Sequence, residues 1–314
     1  MQILDRTQLA QIDFSDLEQL QALFWQTFQA KAAGRAVNAQ EIDMVPESIE
    51  KGAFYSLPGY LLDRGVVGLK WTTHVPTAKG PFTEPLILLN DIQTGKPLAV
   101  IDGLRIGGLR TALVTSLAIR RILAGSPQQL LICGSGFQAA QHLATLRAAL
   151  PQAQFVVWDR TPEHAQRLAA KFDHRVTVSL NLADAVANAD VVIGATSAST
   201  PYLKYDWFHS GQLYVHIGLH DMAPADVAKF QWLVCDDYRA GQLTSQQSLF
   251  VAYRQGAIAA ERVRLLETLV TPLRVPGPVM FDQFGLQMFD FVLAEYALSQ
   301  VEKGVSFGHG IARN

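Results

Sequence analysis

The middle of the chain alternates short apolar segments with segments of helical spacing. Between residues 129 and 237 the apolar segments read QLLICG, QFVVWD, RVTVS, DVVIGAT, QLYVHIG and WLVCDD. Hydrophobicity runs through each of them without a break, as it does in strands that are covered on both faces. Strands that alternate with helices in this way form a parallel sheet. The rhythm therefore predicts an α/β domain with a parallel sheet at its centre.

The loop after the first of these strands carries a glycine pattern. The strand runs directly into Gly134-Ser135-Gly136-Phe137-Gln138-Ala139, which opens a helix. Gly134 suits a tight turn, and Gly136 lets the backbone approach a pyrophosphate. The N–H groups and the dipole at the start of the helix attract the phosphates. Between a strand and a helix, this pattern predicts a Rossmann-type domain that binds a dinucleotide.

The second strand ends at Asp159, and Arg160 follows it. A carboxylate at this position accepts hydrogen bonds from the ribose hydroxyls of NAD and repels the 2′-phosphate of NADP. Arg160 has the opposite preference, because a guanidinium pairs with a phosphate. The two residues together favour NAD, with NADP as the less favoured cofactor.

The chain before this domain has a different texture. Ser15 is a candidate N-cap for a helix that ends near Gly34. Between residues 53 and 101 turn signals separate short apolar runs, a pattern typical of an antiparallel sheet connected by hairpins. After the domain, residues 284–301 predict one long apolar helix.

These segments predict two domains of the α/β class. A Rossmann-type, doubly wound parallel sheet occupies residues 110–276. It is inserted in a second, α+β domain for substrate binding and dimerisation, formed by residues 1–109 plus 277–314.

Composition limits the partners that the chain can have. A net charge of −2 is not that of a nucleic-acid-binding surface, and no apolar run reaches the ~18 residues of a membrane span. The two cysteines, Cys133 and Cys235, lie in strand-like runs, so we expect buried thiols and no metal site. The expected location is the reducing cytoplasm.

Two cations interrupt apolar patterns outside the nucleotide loop. Arg110, in GLRTA, can clamp a carboxylate with two hydrogen bonds, and Lys70, in GLKW, can act as acid, base or donor once burial lowers its pKa. From the residues alone, Lys70 could equally reach to solvent and Arg110 could be a surface charge of its helix. His74 shares a strand face with Lys70, and His142 is expected to be solvated.

The sequence resembles the ornithine cyclodeaminase/mu-crystallin family over nearly its whole length. The resemblance rests on VVGLKW, ILLNDIQTGKPLAVID, GLRTALVTSLA, LLICGSGFQA, ADVVIGATSASTP and the segment from GQLYVHIG to CDD, in this order. It implies NAD(P)-dependent chemistry at the Cα–N bond of amino acids. The family includes cyclodeaminases, alanine dehydrogenases, ketimine reductases and enzymes of 2,3-diaminopropionate synthesis. It also implies a homodimer that meets through the N-terminal sheet and the returning C-terminal helix.

The resemblance assigns roles to individual residues. Lys70 matches the catalytic lysine, which also contacts substrate, and Arg110 matches the arginine that binds the substrate carboxylate. The positions expected to line the cofactor are Thr83, Arg110, Gly134, Gly136, Phe137, Gln138, Asp159, Arg160, Thr196, Ser197, Gly218 and Leu219.

Two departures from the family pattern matter. The cyclodeaminases carry an aspartate two residues after the glycine that ends the strand matching QLYVHIG, and here His220 stands at that position with Asp221 after it. Both are candidate proton carriers, although a step of one residue turns a side chain to the other face of a strand. Where the family usually places a substrate-binding arginine, this chain has Gln40 and Glu41.

These observations predict hydride transfer between the Cα of an amino or imino acid and the nicotinamide. The segments GLKW, GLHDMAP and FDQFGLQMFD favour the branch that oxidises an N-linked conjugate to a 2-keto acid and 2,3-diaminopropionate. An ornithine cyclodeaminase with no net redox change is the alternative within this fold. A nucleotide-binding protein without catalysis is the third possibility.

Overall fold

The computed structural model describes residues 1–48, 52–77, 82–241 and 245–302. It divides into two compact units. Unit 1 comprises Met1–Arg110 together with the chain from Leu286, and unit 2 comprises Thr111–Gly285.

Unit 1 is built on a seven-stranded sheet in the order β1-β7-β6-β5-β4-β2, with β3 paired to β4. The strands are β1 (Gln2–Leu4), β2 (Ala36–Asn38), β3 (Ile42–Met44), β4 (Ala53–Leu61), β5 (Val66–His74), β6 (Leu86–Asp91) and β7 (Pro97–Asp102). The helices before the boundary are α1 (Arg6–Gln11), α2 (Leu17–Ala32) and the first part of α3 (Leu104–Ile122). Strands β4 to β7 pair antiparallel, which confirms the predicted hairpin sheet.

Helix α2 differs from its prediction at one end. Its N-cap is Asp16, whose carboxylate accepts a hydrogen bond from the Gln19 N–H at 2.9 Å, so Ser15 is not the cap. An Asp side chain is as good a cap as Ser, and neighbouring cap residues compete for the same N–H groups.

Unit 2 contains an eight-stranded parallel sheet in the order β10-β9-β8-β11-β12-β15-β13-β14. Its strands are β8 (Gln129–Cys133), β9 (Gln154–Trp158), β10 (Val176–Val178), β11 (Val191–Gly194), β12 (Leu213–His216), β13 (Trp232–Cys235), β14 (Val263–Leu265) and β15 (Val279–Asp282). Its remaining helices are α4 (Phe137–Ala149), α5 (Pro162–Ala169), α6 (Leu182–Asn188), α7 (Pro224–Val227), α8 (Tyr238–Gly241) and α9 (Ser248–Arg254). All six strands predicted from sequence are present, and the doubly wound parallel sheet is confirmed.

The chain returns to unit 1 later than predicted. Residues 277–285 belong to unit 2, because β15 lies between β12 and β13 in its sheet. The C-terminal helix α10 (Met288–Glu302) also starts after the predicted Phe284, since the N–H groups of Phe284 and Gly285 donate to the Asp236 carboxylate. At the other boundary, Arg110 is the last residue of unit 1.

Aromatic packing holds α10 in unit 1. The rings of Phe24 and Phe28 on α2 each lie 4.7 Å from that of Phe289 on α10. Gly68 of β5 lies so close to the Phe291 ring that an added Cβ would be only 2.7 Å from it. This close approach brings the start of α10 against the middle of β5, where Lys70 lies.

The sheet of unit 2 is covered on both faces, as continuous apolar strands require. Every residue of β8 from Leu130 to Cys133 is fully buried. Both cysteines are buried free thiols, as expected from the sequence. Among the helices of the described ranges, none is long and apolar enough to cross a membrane.

Candidate active site

The glycine loop of unit 2 has the backbone that its sequence predicts. Gly134 has a φ of +104°, and a Cβ there would lie 2.6 Å from the Ala195 carbonyl oxygen. Gly136 is the N-cap of α4 and makes no side-chain cap, while the space around its missing Cβ is open for 4 Å. The space beside the start of α4 is therefore open, as the pyrophosphate of a dinucleotide requires.

A cavity of about 870 Å³ adjoins this loop. Its lining includes half of the predicted cofactor residues, namely Gly134, Gly136, Asp159, Arg160, Thr196 and Ser197. They come together because β8, β9 and β11 are neighbouring parallel strands whose carboxyl ends meet at one edge of the sheet. Open backbone N–H groups, small residues and a carboxylate at the second strand are the features that a dinucleotide needs, so the residues present fit it.

Asp159 is held in place at the end of β9. It accepts hydrogen bonds from the Ser135 hydroxyl at 2.5 Å and from the Thr161 N–H at 2.9 Å. Cationic side chains line the same cavity, among them Arg160, Arg167 and Lys171. The fixed carboxylate opposes a 2′-phosphate, while these cations offset part of that repulsion.

Other predicted cofactor residues are not in the lining of this cavity. Phe137 and Gln138 are the first two residues of α4; Phe137 is exposed, and the Gln138 carbonyl accepts a hydrogen bond from His142. Gly218 and Leu219 follow β12, with Leu219 exposed. Thr83 is an exposed residue of unit 1. Their contacts with a cofactor remain predictions.

Unit 1 brings Lys70 and Arg110 to one buried carboxylate. The Lys70 Nζ donates to Asp290 Oδ1 at 2.7 Å, and the Arg110 Nε lies 3.4 Å from Asp290 Oδ2. The Asp290 side chain is fully buried, whereas those of Lys70 and Arg110 are 9% and 16% exposed. Neither cation reaches freely into solvent. The two alternatives that the sequence left open, a Lys70 directed to solvent and an Arg110 on the helix surface, therefore do not hold.

The surroundings of Lys70 favour its neutral form. Burial lowers the pKa of Lys70, Arg110 lowers it further, and the charges of Asp290 and Glu41 oppose the change. A lysine whose pKa approaches the working pH can exchange a proton with substrate. Beside it, the arginine can bind a carboxylate.

Two acidic residues share the sheet face of Lys70. In the register of β3, β4 and β5, Asp43 is opposite Tyr55 and Tyr55 is opposite Thr72, two residues along β5 from Lys70. Glu41, just before β3, has solvent access, yet burial and Asp43 raise its pKa while Lys70 opposes the rise. This edge of unit 1 therefore combines cations with acidic groups.

A family model matches residues 4–227, and its description is the ornithine cyclodeaminase/mu-crystallin family. The chain belongs to this family. The mouse ketimine reductase mu-crystallin is 30% identical over 277 residues, covering 83% of this chain and 84% of that protein. The N-((2S)-2-amino-2-carboxyethyl)-L-glutamate dehydrogenase of Staphylococcus aureus is 25% identical over 261 residues, 77% of this chain and 76% of that protein.

A solved structure of this family has the same fold. The Thermococcus litoralis Δ1-pyrroline-2-carboxylate reductase, in complex with NADH and L-proline, superposes with a TM-score of 0.88 at 22% identity. The match covers 98% of this chain and 100% of that one. The fold class predicted from sequence is thereby confirmed.

The departure from the family pattern after β12 can now be described. Asp221 is fully buried, and its carboxylate accepts hydrogen bonds from the hydroxyls of Thr196 and Tyr202. A Cβ on Gly194 would lie 2.8 Å from the same carboxylate. Asp221 therefore braces the loop after β11, and a proton-carrying role for it stays a prediction. His220 is partly exposed and is the other candidate.

One histidine differs from its prediction. His142 is fully buried on α4, with its Nε2 3.0 Å from the Thr115 hydroxyl, and burial lowers its pKa to about 4. It faces the interior because α4 is covered on that side, so the expected solvation is wrong. His74, at the end of β5, is exposed.

Sequence reasoning missed Asp290. A single acidic residue in the otherwise apolar start of α10 was the available signal, because an unpaired carboxylate is rarely buried. It also missed the pairing of His216 with Asp282 on the adjacent strands β12 and β15, at 2.6 Å. Burial opposes the charged imidazole, but the hydrogen bond and charge of Asp282 prevail and raise the pKa of His216.

Proposed function

We propose that the chain is an NAD-dependent oxidoreductase that acts at the Cα–N bond of an amino or imino acid. The observation that carries this proposal is the meeting of Lys70 and Arg110 on the buried Asp290 in unit 1. Unit 2 supplies the dinucleotide cavity, and NAD is the cofactor. The solved relative with bound NADH and L-proline supports both halves of this assignment.

The residues divide the chemistry between them. When bound at the glycine loop and Asp159, NAD would supply the hydride donor or acceptor for the substrate Cα. Arg110 binds the substrate carboxylate through its guanidinium. Reduction of an imine consumes one hydride and one proton, and Lys70 as ammonium supplies that proton and is recharged from solvent. In the oxidative direction neutral Lys70 takes that proton back from the substrate nitrogen, and His220 carries the protons that move when water adds to the resulting imine.

We further infer that the substrate is an N-linked amino-acid conjugate, whose oxidation and hydrolysis yield a 2-keto acid and 2,3-diaminopropionate. The Staphylococcus aureus relative named for such a conjugate supports this. So does the absence of the usual family arginine, since Glu41 and Asp43 lie on the sheet face of Lys70 instead. The carboxylates of Glu41 and Asp43 would attract the second ammonium group of a diamino acid, whereas they would repel a second carboxylate of a substrate.

A substrate panel tests the proposal. The purified protein is assayed for NADH absorbance with NAD or NADH against cyclic imino acids, α-amino acids, ornithine and carboxyethyl amino-acid conjugates. NADH formed from a conjugate, with the 2-keto acid released in equal amount, supports the conjugate as the substrate. Ammonia released from ornithine without net NADH identifies a cyclodeaminase instead. Tight NAD binding with no turnover of any compound contradicts an enzymatic role.

The same proposal includes a homodimer in the cytoplasm. One face of the unit 1 sheet is apolar and open, with Ile3, Val67 and Leu86 exposed by 65%, 41% and 48%. A second copy of the chain would bury this face. Light scattering at micromolar concentration should give twice the chain mass, and Leu86→Glu should give a single chain mass. A reducing compartment agrees with the two unpaired thiols.

A further inference from the structure

Asp290 connects the two cations of unit 1 in a way that the proposed reaction does not by itself require. Its Oδ1 accepts from Lys70 on β5 and its Oδ2 faces Arg110 on α3, so three separate elements meet at one carboxylate. The carboxylate is fully buried. Gly107, one turn before Arg110, lies beside this meeting point: a Cβ there would be at ordinary contact distance, 3.5 Å from Lys70 Nζ and 3.6 Å from Asp290 Oδ1.

The negative charge of Asp290 affects the two cations beside it. Two cations close together in a protein interior repel each other, and a buried anion between them removes that cost. One oxygen of Asp290 lies beside Lys70 and the other beside Arg110. The position of the carboxylate therefore also sets the distance between the ammonium and guanidinium groups. Without the anion, Lys70 would lose its proton more readily, because Arg110 would face it uncompensated.

We propose that Asp290 is a positioning residue, which holds Lys70 and Arg110 in one arrangement and preserves the ammonium form of Lys70 for proton transfer. This proposal rests on the proposed function for its kinetic consequence, though not for its structural one. Asp290 itself contacts neither hydride nor substrate in this role. It acts through the lysine.

Three charged groups surround Lys70 from the elements packed against β5. They are Asp290 from α10, Arg110 from α3, and Glu41 from the segment before β3. Burial and Arg110 lower the pKa of Lys70, and Asp290 is the stronger of the two carboxylates that oppose them. Glu41 alone would therefore preserve the ammonium only in part after Asp290 is neutralised.

The test neutralises Asp290 and observes Lys70 directly. In Asp290→Asn the side chain keeps its shape but loses its charge, and the Lys70 signal is followed by NMR in protein with labelled lysine, assigned by its loss in Lys70→Met. Lys70 should titrate about 1 to 3 pH units lower than in the unaltered protein, the usual effect of one close opposite charge. An unchanged titration overturns the proposal. This readout needs no turnover, so it stands even if the proposed reaction fails.

Kinetics supply the second readout. In imine reduction the basic limb of the kcat/KM profile should move to lower pH in Asp290→Asn by the same amount, with much of the rate restored below that limb. A uniform loss of rate at every pH would mean that Asp290 only supports the fold. Asp290→Glu, which keeps the charge, should lower kcat but leave the limb in place.

A matched control separates this effect from the loss of any buried ion pair. Asp282→Asn removes a buried carboxylate of unit 2 that pairs with His216. It should leave the titration of Lys70 unmoved, and a shift there equal to that of Asp290→Asn contradicts a specific role. If Asp290→Asn is not recovered folded, Asp290→Ser, which leaves room for a water at the carboxylate, takes its place in both measurements.

Discussion

The nucleotide loop of unit 2 and the charged cluster of unit 1 are built by opposite means. The loop uses main-chain N–H groups and two glycines within one short stretch, so its function depends on backbone shape. The cluster uses the side chains of Lys70, Arg110 and Asp290, which come from three distant parts of the chain. Changes of side-chain charge should therefore affect the second region most, and added side-chain volume the first.

Among the variants that test this contrast, Arg110→Ala should have the largest effect, on kcat/KM. Truncating one partner of a buried charge pair costs roughly 2 to 5 kcal/mol, so kcat/KM should fall about 10³-fold. NAD affinity, measured by calorimetry, should change little. Arg110→Lys is the control, because a point charge lacks the two-pronged geometry, and it should restore only a small part of the activity. Retention of most activity in Arg110→Lys would refute the bidentate role.

His220→Asn tests whether unit 2 also contributes a side chain to proton transfer. Asparagine keeps the size and hydrogen bonding but cannot titrate, so kcat should fall about 10²-fold, the lower range for a positioned acid or base. Normal turnover in His220→Asn would leave proton transfer to Lys70 alone.

Gly134→Ala tests the backbone character of the nucleotide loop. The added Cβ meets the Ala195 carbonyl oxygen, and a φ of +104° is unfavourable for alanine, so the turn must shift. With a cost of about 2 kcal/mol, the Kd for NAD should rise about 30-fold. Gly211→Ala has a φ of +89° but an open Cβ position, and serves as the control for backbone strain away from the loop. Equal NAD affinity in Gly134→Ala and the unaltered protein would contradict this role.

Asp159→Ser should have the smallest effect of the four. It removes the charge that opposes a 2′-phosphate while Arg160, Arg167 and Lys171 remain in the cavity lining. The ratio of kcat/KM for NADP to that for NAD should rise about tenfold, which corresponds to about 1.4 kcal/mol. If the unaltered protein already used NADP as well as NAD, Arg160 would be the deciding residue instead.

The same contrast explains what could be predicted from sequence. The nucleotide loop was recognisable because its glycines, strand and helix are adjacent in the chain, as were the apolar parallel strands. Lys70 and Arg110 were found because each interrupts an apolar pattern. Their meeting at Asp290 depends on how α10 packs in unit 1, and no local sequence pattern indicates that packing.

Other misses have related causes. The chain returns to unit 1 only after β15, because the place of β15 between β12 and β13 is a long-range pairing that no local sequence pattern indicates. The predicted solvation of His142 is wrong because this helical residue is buried, with the Thr115 hydroxyl and the Gln138 carbonyl beside its ring. A polar residue at a strand end or on a helix can be a ligand, a solvated group or an internal brace, and only its neighbours decide.

Gly68 has a consequence for anyone who wishes to redesign this protein. Its missing side chain is the spacer that admits the Phe291 ring, and Phe291 follows Asp290 directly in the helix. Because Gly68 lets the Phe291 ring lie against β5, the Asp290 carboxylate reaches Lys70, two residues further along the same strand. A transplant of the three charged residues into another scaffold would need this aromatic–glycine contact as well. In evolving chains, residues 68 and 291 should change size together or not at all.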